Sequence, residues 1–470
     1  MKKEKYFSED PELSHILDRY ERMIRDHENF YFDVYQFEQI IDHYLDGDFF
    51  HQAINAVNIG LHQHPSSNSL LIKKAQVFAE KGDTEKAISL ISYLEQVEHT
   101  NNELYVLKGM VYNQMGEIEK AEKAFEKAIS LIHEGKENIL HDIALSFEYI
   151  HQYQKAVKYF EMAYLINPNK LSLLNDMGHC YEKLRDFEKS KAYYKKYLDQ
   201  EPFAENVWFE LGLVYFKTEE FENAIDAYDF ALAVNDQFAS AMLNKAITLS
   251  HSGKYDEAIS VYHDYLDLEP EDALAWCYIG ECYEKLDQWD KSISNYNLAL
   301  KGDPELSEAW YGMATCYQNL KKFDRALSCA NKAVEIDNEN PDYWFILGKI
   351  RIQLGDYRGA TVAFSKAKEI DPYDYEAWMS LAELGNILSG PDQAIEVLKE
   401  SYNYNFDVPE INYLMAGYHY MSGNKEDVYK YFEEGLKLSF DDHHIIFSLC
   451  PEIRNDKKIL TLLSKYNIKS

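Results

Sequence analysis

Three groups of residues carry the chemistry this sequence could perform. Cys277 and Cys282 stand five apart in AWCYIGECYEKL (275–286), Glu281 and Glu284 lie three apart in the same stretch, and His62/His64 and His443/His444 form close histidine pairs. A cysteine pair could hold a metal or cycle to a disulfide, and two carboxylates on one helix face could share acid and base roles if burial raised one pKa. Helix geometry decides against the sulfur chemistry. At about 100° per residue the two cysteines point roughly 140° apart, and five residues of rise separate their Cα atoms by roughly 7.5 Å, outside disulfide range. Neither histidine pair has the spacing of three or four that turns two ligands to one side of a helix, so no metal ligand is assigned. Glu281 and Glu284 keep an acid–base reading open, although a solvated or ion-paired face is the commoner role of such a pair. The sequence has no P-loop, Rossmann glycine run, HExxH or nucleophile elbow. No catalytic residue and no cofactor is expected.

The helix that would position these groups belongs to a longer pattern. Trp276, Ile279, Gly280 and Tyr283 form one stripe, and EAWYGMATCYQNL repeats the layout with Trp310 and Tyr317. Trp276, Trp310, Trp344 and Trp378 are each 34 residues from the next, and Trp208 lies two periods before Trp276. In steps of 34 the slot of Gly280 holds Ile41, Ala75, Gly109, Ala144, Gly178, Gly212, Ala246, Ala314, Gly348, Ala382 and Ala416, with one 35-residue step placed in the Gly135 loop. Twelve residues downstream a second slot runs from Ala53 to Val428 and is mostly Ala or Ser. Small residues let two helix backbones approach, so each period reads as a packed helix pair. One such pair cannot bury its own apolar face, and its neighbours must complete the core.

The unit resembles the tetratricopeptide repeat, whose signature is W-x2-L-G-x2-Y followed by Ala, an aromatic residue and Pro. WFELGLVY (208–215) fits the first part without exception, and Ala224, Tyr228 and Ala231 continue it, with Asp236 in the proline slot. Pro65, Pro168, Pro202, Pro270, Pro304 and Pro372 fill that slot elsewhere and should end helices. Gly47, Gly82, Gly116, Gly253, Gly355, Gly390 and Gly423 fall between the two helices of their repeats, where a turn needs positive φ. The resemblance covers twelve repeats over 34–442. It implies an all-α fold, a right-handed superhelical solenoid of stacked antiparallel helix pairs. Residues 1–33 are expected to supply an N-terminal capping helix, with Leu13, Ile16, Leu17, Tyr20 and Ile24 on its stripe and Ser8 and Asp10 as cap candidates. Residues 443–470 are expected to form two capping helices broken at Pro451, packed through Leu460, Leu463 and Tyr466.

In the family the first helix of each repeat lines the concave face, where a ligand usually lies. By register the groove slots are Phe209, Leu213 and Phe216 in the sixth repeat and Leu243 and Ile247 in the seventh. Tyr311, Phe345, Lys349, Ile352, Met379, Tyr413 and Tyr420 follow. Glu148, Glu182, Glu281 and Glu284 form an acidic flank. Large apolar side chains in these slots mark an interaction surface, or else pack on neighbouring repeats. The Lys and Asn clamp with which some relatives hold a chaperone's terminal carboxylate is missing, since its slots hold mostly Glu, Leu or aromatic residues.

Acidic residues number 80 against 48 basic ones, a net charge of −32. Such a surface repels phosphate backbones and attracts basic or amphipathic protein segments, so a protein or peptide partner is expected and nucleic acid is not. The opening MKKEKYFSEDPEL has no apolar stretch of a secretory signal, no run reaches membrane-spanning length, and six scattered cysteines suit a reduced, cytoplasmic setting. A Lys-rich, Arg-poor, Asn- and Tyr-rich composition resembles bacterial repeat proteins. The expected function is a non-enzymatic scaffold or adaptor that binds a segment in its groove. The alternatives are a self-assembling structural component, such as a homodimer, and an enzyme built on the Glu281 carboxylate.

Overall fold

The computed structural model describes residues 11–26, 28–132 and 134–467. Among these the secondary structure is helical throughout, with no strand, and the helices come in consecutive pairs, as the 34-residue period requires. The eighth repeat shows how sequence makes a pair. Asp272 accepts the N–H groups of Leu274 and Ala275 and so caps the helix Ala273–Lys285. Asp287, at φ 57°, turns the chain into Trp289–Gly302, and Pro304 follows two residues later.

The two small slots are the seam of each pair. Every residue in them, from Ile41 to Ala416 and from Ala53 to Val428, is buried. Where the second slot holds serine, its hydroxyl donates across the seam to the small residue's carbonyl: Ser190 to Gly178 at 2.8 Å and Ser292 to Gly280 at 2.7 Å. A buried hydroxyl is thereby satisfied without widening the seam. The tryptophan slot has its own task. The indole N–H groups of Trp208, Trp310 and Trp378 donate to the carbonyls of Pro202, Pro304 and Pro372, each six residues earlier, at 2.8, 3.0 and 2.9 Å. Trp344 does the same to Asn338, and Asn412, in the same slot, reaches Phe406 at 3.4 Å. The slot therefore latches the loop that enters the repeat.

The turn between paired helices departs from expectation at two places. Gly82, Gly116, Gly253, Gly355 and Gly423 take positive φ, but Gly47 lies at −97°, and the left-handed residue of that turn is Asp48 at 58°. Asp48 occupies the register position that His151, Arg185, Glu219, Asp287 and Lys321 fill in other repeats, all with positive φ. Side chains other than glycine carry that conformation at about 1–2 kcal/mol each, which the packed pair on either side absorbs. In the eleventh repeat the first helix runs to Ser389, so Gly390 takes the turn one position late.

The chain divides into two compact units, Met1–Val234 and Asn235–Ser470. Within each, a first helix packs on its own partner, and the second helix of a repeat packs on the first helix of the next; the first helices of repeats 1 to 4 and of repeats 7 to 10 also touch one another in sequence. In the first unit the end helix Pro11–Asp26 buries Ile16, Leu17 and Tyr20 against Phe32, Phe37 and Tyr44. Ile24, assigned to that stripe, is 40% exposed, because only the middle of the helix is covered. The cap candidates Ser8 and Asp10 lie outside the described residues. At the end of the second unit, Pro451 opens a 3-10 turn before the helix Lys457–Asn467. Ile459 and Leu462 carry that helix's packing with half-buried Leu463 and Tyr466, whereas Leu460 points outward. No helix among the described residues is long and apolar enough to cross a membrane.

Candidate functional site

Cavities open beside the first helices of both units. In the first unit, one of about 730 Å³ is bounded by the first helices of repeats 1 to 4, Val34–Asp46, Asn68–Glu80, Asn102–Gln114 and Lys136–Tyr149. Ile72, Val106, Leu107, Met110 and Ile139 give it an apolar floor, and Glu38, Asp42, Glu80, Glu103, Glu134 and Asp142 surround that floor. Among the described residues its lining holds a single cation, Lys73, which is already bonded to Asp42 at 2.5 Å. Burial raises the pKa of both Glu80 and Asp142, the mark of carboxylates with little water around them.

In the second unit a cavity of about 660 Å³ gathers Tyr311, Phe345 and Lys349 with Asp342 and Glu376. The Lys349 ammonium lies 5.3 Å from the centre of the Phe345 ring, and Phe345 meets Phe364 edge-on at 5.3 Å. Three groove residues read from the register thus share one site. A smaller cavity of about 410 Å³ joins Ile247 and Glu281 with Tyr255, Tyr262 and Tyr278.

Other predicted residues pack on neighbouring side chains. Phe209 lies 6.0 Å from Tyr228 and Phe216 5.8 Å from Phe221, ring centre to ring centre, and both are half-buried, as are Leu213 and Leu243. Ile352 packs against the core around Ala360 and Phe364. Tyr413 is fully buried, its hydroxyl donating to the Ser439 carbonyl at 2.6 Å.

The four flank carboxylates divide by partner. Glu148 bonds His179 Nδ1 at 2.6 Å, which raises the histidine pKa. Glu182 is buried and accepts the Lys217 ammonium. Glu284 accepts the Tyr296 hydroxyl at 2.9 Å, and burial raises its pKa. Glu281 makes no hydrogen bond or ion pair among the described residues, and desolvation, followed by the nearby Glu284 charge, pushes its pKa up to about 7. The Glu281 side chain is itself exposed, so water reaches its carboxylate and the neighbouring helices and the Glu284 charge set only the upward direction of its pKa. No nucleophile stands beside it as an activated group: burial raises the Cys282 thiol, which shares a hydrogen with Ser250 at 3.2 Å.

Among the described residues one set of metal-type ligands converges. One donor atom each from Glu148, His179 and Cys180 lies within 4.8 Å of the others. Burial and the Glu148 charge raise the Cys180 thiol far above its ordinary range, and the imidazole is taken up by Glu148. As built, the three form a hydrogen-bonded cluster. Spacing within one helix could not reveal it, because Glu148 and His179 are 31 residues apart and meet only through the repeat. The acidic cavity of the first unit was also missed, yet its signal was present. Glu38, Ile72 and Val106 stand three before the small residue and Asp42, Gln76 and Met110 one after it, the same register that selects Phe209 and Leu213.

Family models match four stretches of the chain. Residues 174–302 match the middle TPR-like domain of cilia and flagella-associated protein 70, and residues 101–166, 307–340 and 341–374 match tetratricopeptide-repeat models. The last two begin where the first helices Ser307–Asn319 and Pro341–Gln353 begin. No curated protein matches. Among solved structures, YrrB, described as a TPR protein with an unusual peptide-binding site, is 18% identical with a TM-score of 0.34, over 40% of this chain and 96% of its own. The C-terminal part of a TPR repeat-containing protein from Cytophaga hutchinsonii is 18% identical with a TM-score of 0.42, over 54% and 99%. The APC/C hetero-tetramer Cut9-Hcn1 is 13% identical with a TM-score of 0.36, over 93% and 96%.

Proposed function

The chain is a tetratricopeptide-repeat protein, a fold that serves in general as a protein–protein interaction scaffold, and on that premise we propose that it is a non-enzymatic adaptor holding a basic, amphipathic segment of a partner protein along its first helices. The observation that carries this reading is the cavity of repeats 1 to 4, where six carboxylates surround an apolar floor and Lys73, the single cation among the described lining residues, is committed to Asp42. A segment with Leu or Ile on one side and Lys or Arg on the other satisfies both features. The stacked helices hold the groove in place before binding, so the partner bears most of the ordering cost. The net charge of −32 adds long-range attraction for a basic partner.

A photo-crosslinking amino acid placed at Gln76 or Met110, compared with one at exposed Val362 on the second helix Tyr357–Ile370, tests the assignment in the native cell. Salt-sensitive adducts to basic protein segments at the cavity positions, and not at Val362, are expected. Equal yields at Val362, or adducts dominated by acidic segments, overturn it.

A further inference from the structure

We propose that Glu148, His179 and Cys180 bind one divalent cation of the zinc type and so tie the first helix of repeat 4, Lys136–Tyr149, to that of repeat 5, Leu171–Lys183. One donor atom from each side chain lies within 4.8 Å of the other two. The donors are a carboxylate oxygen, an imidazole nitrogen and a sulfur, all of which zinc takes in proteins at about 2.0–2.3 Å. In a tetrahedral shell such ligands stand roughly 3.3–3.6 Å from one another, so side-chain movements of about 1 Å close the three on an ion. All three sit on helices and none on a loop, which fixes the donors before an ion arrives.

Access is one-sided. Cys180 is fully buried, whereas the side chains of Glu148 and His179 are 18% and 37% exposed, so the sulfur closes the inner side and an ion enters from the outer one. Three protein ligands leave a fourth position to water on that side. Glu148 is the hub, bonded to His179 Nδ1 at 2.6 Å and lying against the Cys180 thiol. Other cysteines in this slot are placed differently: Cys282 and Cys316 each share a hydrogen with a serine, Ser250 and Ser292, at 3.2 Å. A cation takes the place of the hydrogens that Glu148 shares. The thiol proton leaves to water, the imidazole keeps one proton on Nε2 and turns its Nδ1 lone pair to the ion, and the carboxylate turns one oxygen to it. A metal ion deprotonates a coordinating thiol outright, so a buried thiol is no bar to binding. Glu182 and Glu210 add negative charge within reach of the imidazole, and the ammonium groups of Lys183 and Lys217 are drawn to Glu182.

The test uses the full chain, stripped with a chelator and titrated with Co(II), whose thiolate complexes absorb in the near ultraviolet, and then with Zn(II). One equivalent of Co(II) should raise a sulfur-to-cobalt band that Zn(II) abolishes, and Zn(II) should raise the thermal midpoint. Cys180→Ser should remove the band. His179→Gln, at a half-buried position, should weaken cobalt binding about tenfold or more, with circular dichroism showing each variant folded. Cys316→Ser, which changes the same slot in a later repeat, should bind as the parent does. No sulfur band at one equivalent, a band that survives Cys180→Ser or is lost equally in Cys316→Ser, or unchanged cobalt affinity in His179→Gln overturns the site.

Discussion

The ring of Tyr296 lies so close to Gly312 that a Cβ added there would stand 2.2 Å from its Cζ. The same ring meets Gly280, in the preceding repeat, where a Cβ would come within 2.7 Å of Cε1. Tyr296 is thus held between the first helices of two consecutive repeats, and its hydroxyl is fixed by Glu284. Gly312→Ala gives that ring nowhere to move. Overpacking of this kind costs about 1–3 kcal/mol, and the better helix propensity of alanine returns up to about 1 kcal/mol. Chemical denaturation should show a net loss, largely relieved when Tyr296→Leu is combined with it. A neutral or stabilising Gly312→Ala would contradict the packing described.

The C-terminal helix offers a sharper contrast. Ile459 is fully buried against the core around Phe432 and Ile446, and Leu460 is 48% exposed. Ile459→Ala should cost about 2–5 kcal/mol of the local stability, and Leu460→Ala about 0.5 kcal/mol or less. Hydrogen exchange of Lys425–Leu438, on which the helix rests, would show the first variant opening and the second unchanged. Reversed behaviour would restore the face that periodicity alone assigns.

That reversal shows where the sequence could be read and where it could not. The seam slots were legible because a helix pair of constant length forces the same small residues to recur, and one error would break the count. Ile24 and Leu460 were misassigned because a terminal helix is covered on one part only, so its stripe is wider than its buried face. Gly47 drew attention that belonged to Asp48, since glycine signals a left-handed turn by its type while aspartate adopts one without announcing it. The Glu148–His179–Cys180 cluster and the acidic cavity arise from residues one repeat apart. Register gives their positions, but which slots face space and which are filled depends on side-chain volumes in adjacent helices. Tyr413, which fills its slot, and Phe345, which lines a cavity, are chemically alike in the sequence.

Phe209 and Phe216 were read as groove anchors, and their half-burial changes what removing them should do. Each packs on an aromatic neighbour, so Phe209→Ala with Phe216→Ala should lower stability by roughly 2–5 kcal/mol before any partner is considered. Phe345→Ala in the second unit removes one half-buried ring packed on Phe364 where the double variant removes two, so its loss should be the smaller. Thermal melting of both variants checks this. A double variant as stable as the parent would return Phe209 and Phe216 to the list of exposed anchors.

Glu281 gives the stability a pH dependence of predictable sign. Its pKa in the folded chain, about 7, lies above the ordinary 4.5, so between those values the folded state binds the extra proton and stability falls as pH rises. The groups that act on it are Glu284 and Lys285 on its own helix and Glu308 on the next first helix, with Tyr255, Tyr262 and His251 also in its cavity. Glu281→Gln removes the titrating group while the others remain. The denaturation midpoint of the parent should therefore drop, relative to Glu281→Gln, between pH 5 and pH 7.5, and the two curves should run parallel above that. His179 acts in the first unit with its own sign: its pKa is raised by Glu148, so the stability it contributes is present below about 6.5 and fades as pH rises through its folded value. His179→Gln isolates that part. If Glu281→Gln leaves the pH profile unchanged, the carboxylate at 281 is as well hydrated in the folded chain as in the unfolded one, and an unchanged profile in His179→Gln likewise removes the effect of its bond to Glu148.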